Sequence, residues 1–150
     1  MRFKLFMLLI TFVFLIACGG GDDSSSDEII PEIPSILVDK TSMSFDDTMV
    51  SKSSSTISVL VESKNVTSAL KIDSPEGFEI SFNNLDFENS LTIEANQSKT
   101  LHVRFSPTKI QSYTGSINIQ NDQAQDVKIN LSGAGVQLKF NYKTFTKKRL

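Results

Sequence analysis

From Ile36 onward, apolar residues recur at every second position. Ile57, Val59 and Val61 alternate with polar neighbours, as do Phe78, Ile80 and Phe82. Leu91, Ile93 and Ala95 continue the pattern, followed by Leu101, Val103 and Phe105, then Ile117 and Ile119, then Val127, Ile129 and Leu131. A strand turns its side chains alternately to its two faces, so this period predicts segments with one buried and one wetted face. The apolar side is rich in Ile, Val, Leu and Phe, which fit a pleated, half-buried surface. Turn formers separate the segments: Asp46-Asp47, Ser63-Lys64-Asn65, Pro75-Glu76-Gly77, Asn83-Asn84, Asn96-Gln97, Pro107-Thr108 and Asn121-Asp122. They recur roughly every 8–14 residues, and no long stretch keeps a helical period. The pattern predicts an all-β domain over residues 36–135, a sandwich of about seven antiparallel strands.

The amino-terminal stretch follows different rules. Arg2 and Lys4 precede an apolar run from Leu5 to Ala17 that holds only Thr11 as a polar residue. The run is shorter than the ~20 apolar residues that span a bilayer. It has the form of a secretory signal peptide, residues 1–17. Its end, Leu15-Ile16-Ala17-Cys18, resembles the lipobox of bacterial lipoproteins. That resemblance implies cleavage between Ala17 and Cys18 and acylation of Cys18; the alternative is an uncleaved signal anchor. Several acyl chains hold a protein on a membrane where one does so only marginally. Residues 18–35 then read as a tether, because Gly19 through Glu28 contain no apolar side chain whose burial could offset ordering. Acidic residues so close to the cysteine resemble the export signal of surface lipoproteins of Bacteroidetes. The implied location is the outer membrane and the cell surface, with periplasmic retention as the alternative.

Within the predicted sandwich, four pieces stand in a familiar order. They are Pro75-Glu76-Gly77-Phe78-Glu79-Ile80-Ser81, Val103-Arg104-Phe105-Ser106-Pro107-Thr108, Tyr113-Thr114-Gly115-Ser116-Ile117-Asn118-Ile119 and Ile129-Asn130-Leu131-Ser132-Gly133-Ala134-Gly135. Together they resemble the immunoglobulin-like modules of secreted Bacteroidetes proteins, related to the ASPM/SPD-2/hydin-type sandwiches. The resemblance implies a seven-stranded sandwich and a role as spacer, stalk or protein-contact module, and it does not imply a catalytic site; a protein or glycan is the expected kind of partner. Such modules usually stand in tandem or beside a catalytic domain, whereas one copy is present here. Residues 136–150 form a tail in which Gln137–Tyr142 hints at a further strand, a candidate donor for strand addition to a partner. A frayed terminus is the simpler reading. Asn141-Tyr142-Lys143-Thr144-Phe145 also resembles the opening of the catalytic region of peptide-N-glycosidase F, which would make this chain the front of an amidase acting on N-glycoproteins.

Composition narrows the chemistry. One cysteine in 150 residues excludes an internal disulfide framework, and one histidine excludes a two-histidine mechanism. Removing residues 1–17 leaves 13 basic and 17 acidic side chains, net −4, which gives no basic face for nucleic acid. His102 stands opposite Leu101 and Val103, on the solvent side of its strand. Asp46-Asp47, Asp86, Glu88 and Asp122 lack the spacing of a calcium loop and read as turn-shaping residues. Glu76 and Glu79 flank Gly77-Phe78 without a cleft, so no acid/base pair is expected. No metal, cofactor or catalytic residue is assigned. Asp47-Thr48-Met49 resembles the O-glycosylation motif of Bacteroidetes secreted proteins, with Thr48 as the acceptor.

Overall fold

A computed structural model describes residues 31–138. Ten strands run along them: β1 (Ser35–Val38), β2 (Ser42–Ser44), β3 (Thr48–Met49), β4 (Ile57–Lys64), β5 (Leu70–Asp73), β6 (Phe78–Ser81), β7 (Ser90–Ile93), β8 (Ser98–Phe105), β9 (Ser112–Gln120) and β10 (Val127–Val136). One sheet has the order β1-β4-β8-β6 and the other β2-β10-β9-β5-β7, with β3 also paired to β10. The two sheets face each other as the sandwich that the alternation predicts.

The alternating residues meet between the sheets. Val59, Val61, Leu101, Val103 and Ile80 line the inner face of the first sheet; Leu70, Ile72, Ile93, Ile117, Ile119 and Ile129 line that of the second, and all are sealed from solvent. At one end an aromatic cluster takes the place of a disulfide. Phe105 lies 4.9 Å from Phe78, 5.3 Å from Tyr113 and 6.3 Å from Phe45, ring centre to ring centre. Tilted and edge-on pairs at such distances add stabilisation beyond the area they bury.

The architecture is more divided than seven strands. The first strand changes sheets: β1 pairs antiparallel with β4, and after Asp39-Lys40-Thr41 the chain continues as β2, parallel to β10. Asp39 makes the crossing. Its carboxylate accepts a hydrogen bond from Leu60 N at 2.8 Å, ending the β1 ladder, while Lys40 Nζ reaches Ser58 O at 2.6 Å. β3 is a second short parallel pairing, Thr48 against Gly135 and Met49 against Val136. Two- and three-residue strands carry too few positions to show a period. Leu70–Asp73, too short to stand out in the sequence, supplies two of the most buried side chains, Leu70 and Ile72. Conversely, β6 stops at Ser81 rather than reaching Phe82. There Asn83 Oδ1 accepts from the amides of Leu85 and Asp86, both at 2.9 Å, and starts a loop.

Several predicted turns rest on asparagine in the left-handed region: Asn65, Asn84 and Asn96 have φ of 57°, 58° and 56°. Among common residues other than glycine, asparagine tolerates this conformation best.

Candidate functional site: the two poles and the outer sheet face

The strand directions give the sandwich two poles. At the N-terminal pole, Pro34, Ser35 and Ile36 share a depression of about 440 Å³ with Gln125, Asp126 and Val127 at the start of β10. Amide side chains tie the loops here. Asn96 accepts from Val66 N at 3.0 Å and donates to Val66 O at 2.8 Å, and Asn121 donates to Ser68 O at 3.0 Å. Asn65 reaches Ile33 O at 3.4 Å, fixing the chain just before β1.

β10 then runs the length of the sandwich, ten residues, to Val136 at the other pole. At ~3.3 Å per residue the two ends of that strand lie about 30 Å apart. The C-terminal pole is tied by backbone bonds: Ser51 N to Pro107 O at 3.0 Å, Ser106 N to Gly77 O at 2.7 Å, Gly135 N to Gln111 O at 2.8 Å and Val50 N to Val136 O at 2.9 Å. Tyr113 holds the corner, its phenol oxygen accepting from Lys109 N at 2.9 Å and Thr108 N at 3.2 Å. A tyrosine near the start of a strand, bonded back to the preceding loop, is a recurring corner device of immunoglobulin-like sandwiches. Beside it lies a groove of about 590 Å³, lined by Met49, Val50, Thr108, Lys109, Ile110, Val136, Gln137 and Leu138.

The outer face of the β1-β4-β8-β6 sheet carries the other polar constellation. His102 lies in register with Ser58 of β4 and Ser81 of β6, and its Nδ1 is 2.9 Å from Ser58 Oγ. Next to it Arg104 Nε donates to Glu79 Oε2 at 2.7 Å, and its guanidinium lies 3.9 Å above the Phe87 ring. His102 thus sits on the solvent side opposite Leu101 and Val103, bonded to a serine on an open sheet face. Glu76 and Glu79, expected to lack a cleft, both line an open depression of about 410 Å³ beside Gly77 and Ser106, where Glu79 is engaged by Arg104 and no hydrogen bond joins the two carboxylates.

Among the described residues no cluster of three metal-ligating side chains occurs. Asp122 bonds Ser68 Oγ and Asp86 accepts from Asn83 Nδ2 at 2.7 Å, so both shape their loops. Thr48 is buried, 7% exposed, and its hydroxyl donates to Asp46 O at 2.9 Å. Ala17, Cys18 and the stretch Asn141–Phe145 lie outside the described residues, and of Gln137–Tyr142 only Gln137 and Leu138 are described, neither in a strand. Sequence reasoning missed the groove because its walls come from three separated segments. Exposed Ile110, beyond Pro107 in a loop, was the available signal.

No curated protein matches this sequence. Solved structures give similar folds at low identity. The ASH/PapD-like domain 7 of human CEP192 is 13% identical with a TM-score of 0.45, covering 69% of this chain and 87% of that one. A GH5 xyloglucanase of Bacteroides ovatus, solved with a XXXG heptasaccharide, is 13% identical with a TM-score of 0.47, over 71% of this chain but 20% of the enzyme. The CsuC–CsuE chaperone–tip adhesion subunit complex of Acinetobacter baumannii contains a chain 12% identical with a TM-score of 0.38, over 67% and 51%. A family model reaches further in sequence: Cep192 domain 4 matches residues 33–136, from just before β1 to the last residue of β10. The chain belongs to the Cep192 domain 4 family, as one immunoglobulin-like β-sandwich module.

Proposed function

We propose that this chain is a membrane-anchored, surface-exposed lipoprotein whose sandwich is a non-catalytic spacer and contact module. The observation that carries the spacer role is the placement of the poles. The described chain arrives beside the start of β10 and departs at its end, so the full length of that strand separates the entering segment from the departing one. A module that only bound a ligand would have no need of this arrangement, since its termini could lie side by side. The Leu15-Ile16-Ala17-Cys18 sequence supports the anchor, and the acidic residues after it support surface display. Acyl chains at Cys18 would then tether the sandwich to the membrane through the segment that leads into its N-terminal pole.

The same geometry serves a chain that continues past Leu150 into an amidase-like region of the peptide-N-glycosidase F kind, as Asn141–Phe145 suggests; the downstream reading frame decides this. Metabolic labelling with a fatty acid, followed by fractionation, tests the anchor. The expected result is label on the protein and recovery in the membrane fraction, with both lost on Cys18→Ser. Unlabelled protein, or a Cys18→Ser chain still in the membrane, overturns it. Protease added to whole cells should degrade the sandwich; full protection would place it inside the envelope.

A further inference from the structure

The strands at the edges of the two sheets differ in how their outward backbone groups are satisfied. Along β6 every such group is engaged. Ile80 N and O pair with Glu88 at 2.8 and 2.9 Å, Phe78 N donates to Pro75 O at 3.1 Å, and Phe78 O accepts from Ser74 Oγ at 2.9 Å. β2 and β7 carry serine and threonine at their exposed positions, Ser42 and Ser44 on one, Ser90 and Thr92 on the other. β1 is open and apolar. Asp39 N donates to Leu60 O at 3.3 Å, which fixes the phase of the ladder with β4. Bonded pairs alternate along an antiparallel ladder, so Ser35 and Leu37 turn their groups to β4 while Ile36 and Val38 turn theirs outward. Among the described residues no backbone group bonds those of Ile36 and Val38. On the outer face beside this edge stand Leu37, 49% exposed, and Leu60, 43%, diagonal neighbours across the β1–β4 pair. An open edge bordered by exposed apolar side chains is a template for another strand.

We infer that the strand this edge takes is β1 of a second copy. Turned by 180° about Leu37, the segment Ser35-Ile36-Leu37-Val38-Asp39 meets itself in register. Ile36 of each copy then exchanges both backbone bonds with Val38 of the other, and all four sets of open groups are satisfied together. Leu37 lies on the two-fold axis against Leu37 of the second copy, at the closely spaced, non-hydrogen-bonded position. The two Leu60 side chains flank that pair, so the apolar residues exposed on each copy cover one another. The charges agree as well. Lys64, opposite Ser35 on β4, falls in one row with Asp39 of the second copy, and the symmetry makes two such rows. A strand of another protein would need an apolar side chain opposite Leu37 and an acidic one two residues along; β1 itself already carries both. The contact is isologous and continues one four-stranded sheet into the other. It spans five residues of each copy, so it forms and dissolves with concentration. It goes beyond the spacer role and does not rest on the anchor at Cys18.

Disulfide trapping in the full chain carrying Cys18→Ser tests it, because two cysteines at a closely spaced antiparallel pair lie within bonding range. Leu37→Cys, oxidised with copper phenanthroline, should give a covalent dimer at least about tenfold faster than Thr92→Cys, an exposed position on the β7 edge, since pairing raises the effective concentration of the two thiols. Sedimentation of the parent should show a mass that rises with concentration. Leu37→Lys sets like charges face to face on the axis and should remove that rise, whereas Thr92→Lys should leave it. Position 37 is half exposed, and an unchanged urea midpoint will show that the sandwich stays folded. Equal trapping rates at positions 37 and 92, or a parent that stays monomeric at every concentration, overturns the inference. So does a dimer that survives Leu37→Lys and is lost on Ile110→Asp, which would assign the contact to the groove at the C-terminal pole.

Discussion

Two aspartates show how single side chains set the response of this domain to acid. At the β1–β2 crossing, the backbone amide of Leu60 holds the Asp39 carboxyl below its ordinary value of 3.8, with help from Lys40. On β5, the Lys71 ammonium at 2.8 Å and the Ser90 hydroxyl at 2.7 Å do the same for Asp73. In both cases the native pKa lies under the unfolded one, so below 3.8 the unfolded chain binds more protons. The stabilisation is complete above that value and is lost as pH falls through the native pKa values. Urea midpoints at pH 7 and pH 3 should therefore differ less in Asp39→Asn/Asp73→Asn than in the parent, because the double variant lacks these two contributions at pH 7. An equal pH dependence would show that other carboxylates dominate. Gly77 has a sharp requirement of a different kind. Its φ is +85°, and a Cβ there would lie 2.6 Å from the Tyr113 ring. Gly77→Ala should cost about 1–3 kcal/mol in denaturant unfolding, through the left-handed backbone and the displaced ring. A change under half a kcal/mol would mean the corner relaxes freely.

At the scale of strands, the core rests on few aromatic residues, and Phe105 lies among three others, Phe45, Phe78 and Tyr113. Phe105→Ala should cost about 3–5 kcal/mol, the range for a fully buried phenylalanine, and leave the domain marginal. Replacing Leu60, on the outer face and nearly half exposed, should change stability by under half a kcal/mol. Thermal melts of the two variants separate these outcomes directly. The contrast follows from the alternation, which is why the major strands were legible in the sequence. β4, β8, β9 and β10 each span eight residues or more, long enough for a two-residue period to declare itself. β2 and β3 were not legible, because two or three residues cannot display a period and their parallel pairing with β10 spans most of the chain. The end of β6 was hidden for another reason: Phe82 continues the alternation, but the Asn83 side chain takes over the amides that a longer strand would use. Sites behaved likewise. His102 was placed correctly from its neighbours, whereas the Arg104–Glu79–Phe87 stack joins two strands and a loop and left no local trace.

For the whole molecule, the separation of the poles is the property with functional consequence, and it can be measured without knowing any partner. Stiffness along the long axis comes from two pairs of long neighbouring strands, β4 with β8 in one sheet and β9 with β10 in the other. A strut built in this way should hold one length under thermal motion, whereas an extended linker of equal span would fluctuate over much of it. Spin labels at Gln125→Cys and Gln137→Cys, in a Cys18→Ser background, sit beside the two ends of β10. Pulsed dipolar spectroscopy should give a single narrow distribution near ~30 Å, the length of ten extended residues. A broad distribution would mean that one pole loosens, and a distance under ~20 Å would bring the ends together and remove the basis of the spacer reading. If the narrow peak is found and the Gln137→Cys label is also immobilised in the continuous-wave spectrum, the stiffness extends past β10 into the departing chain. A strut that ends in a fixed direction can aim what it carries; one that ends in a free label can only lift it.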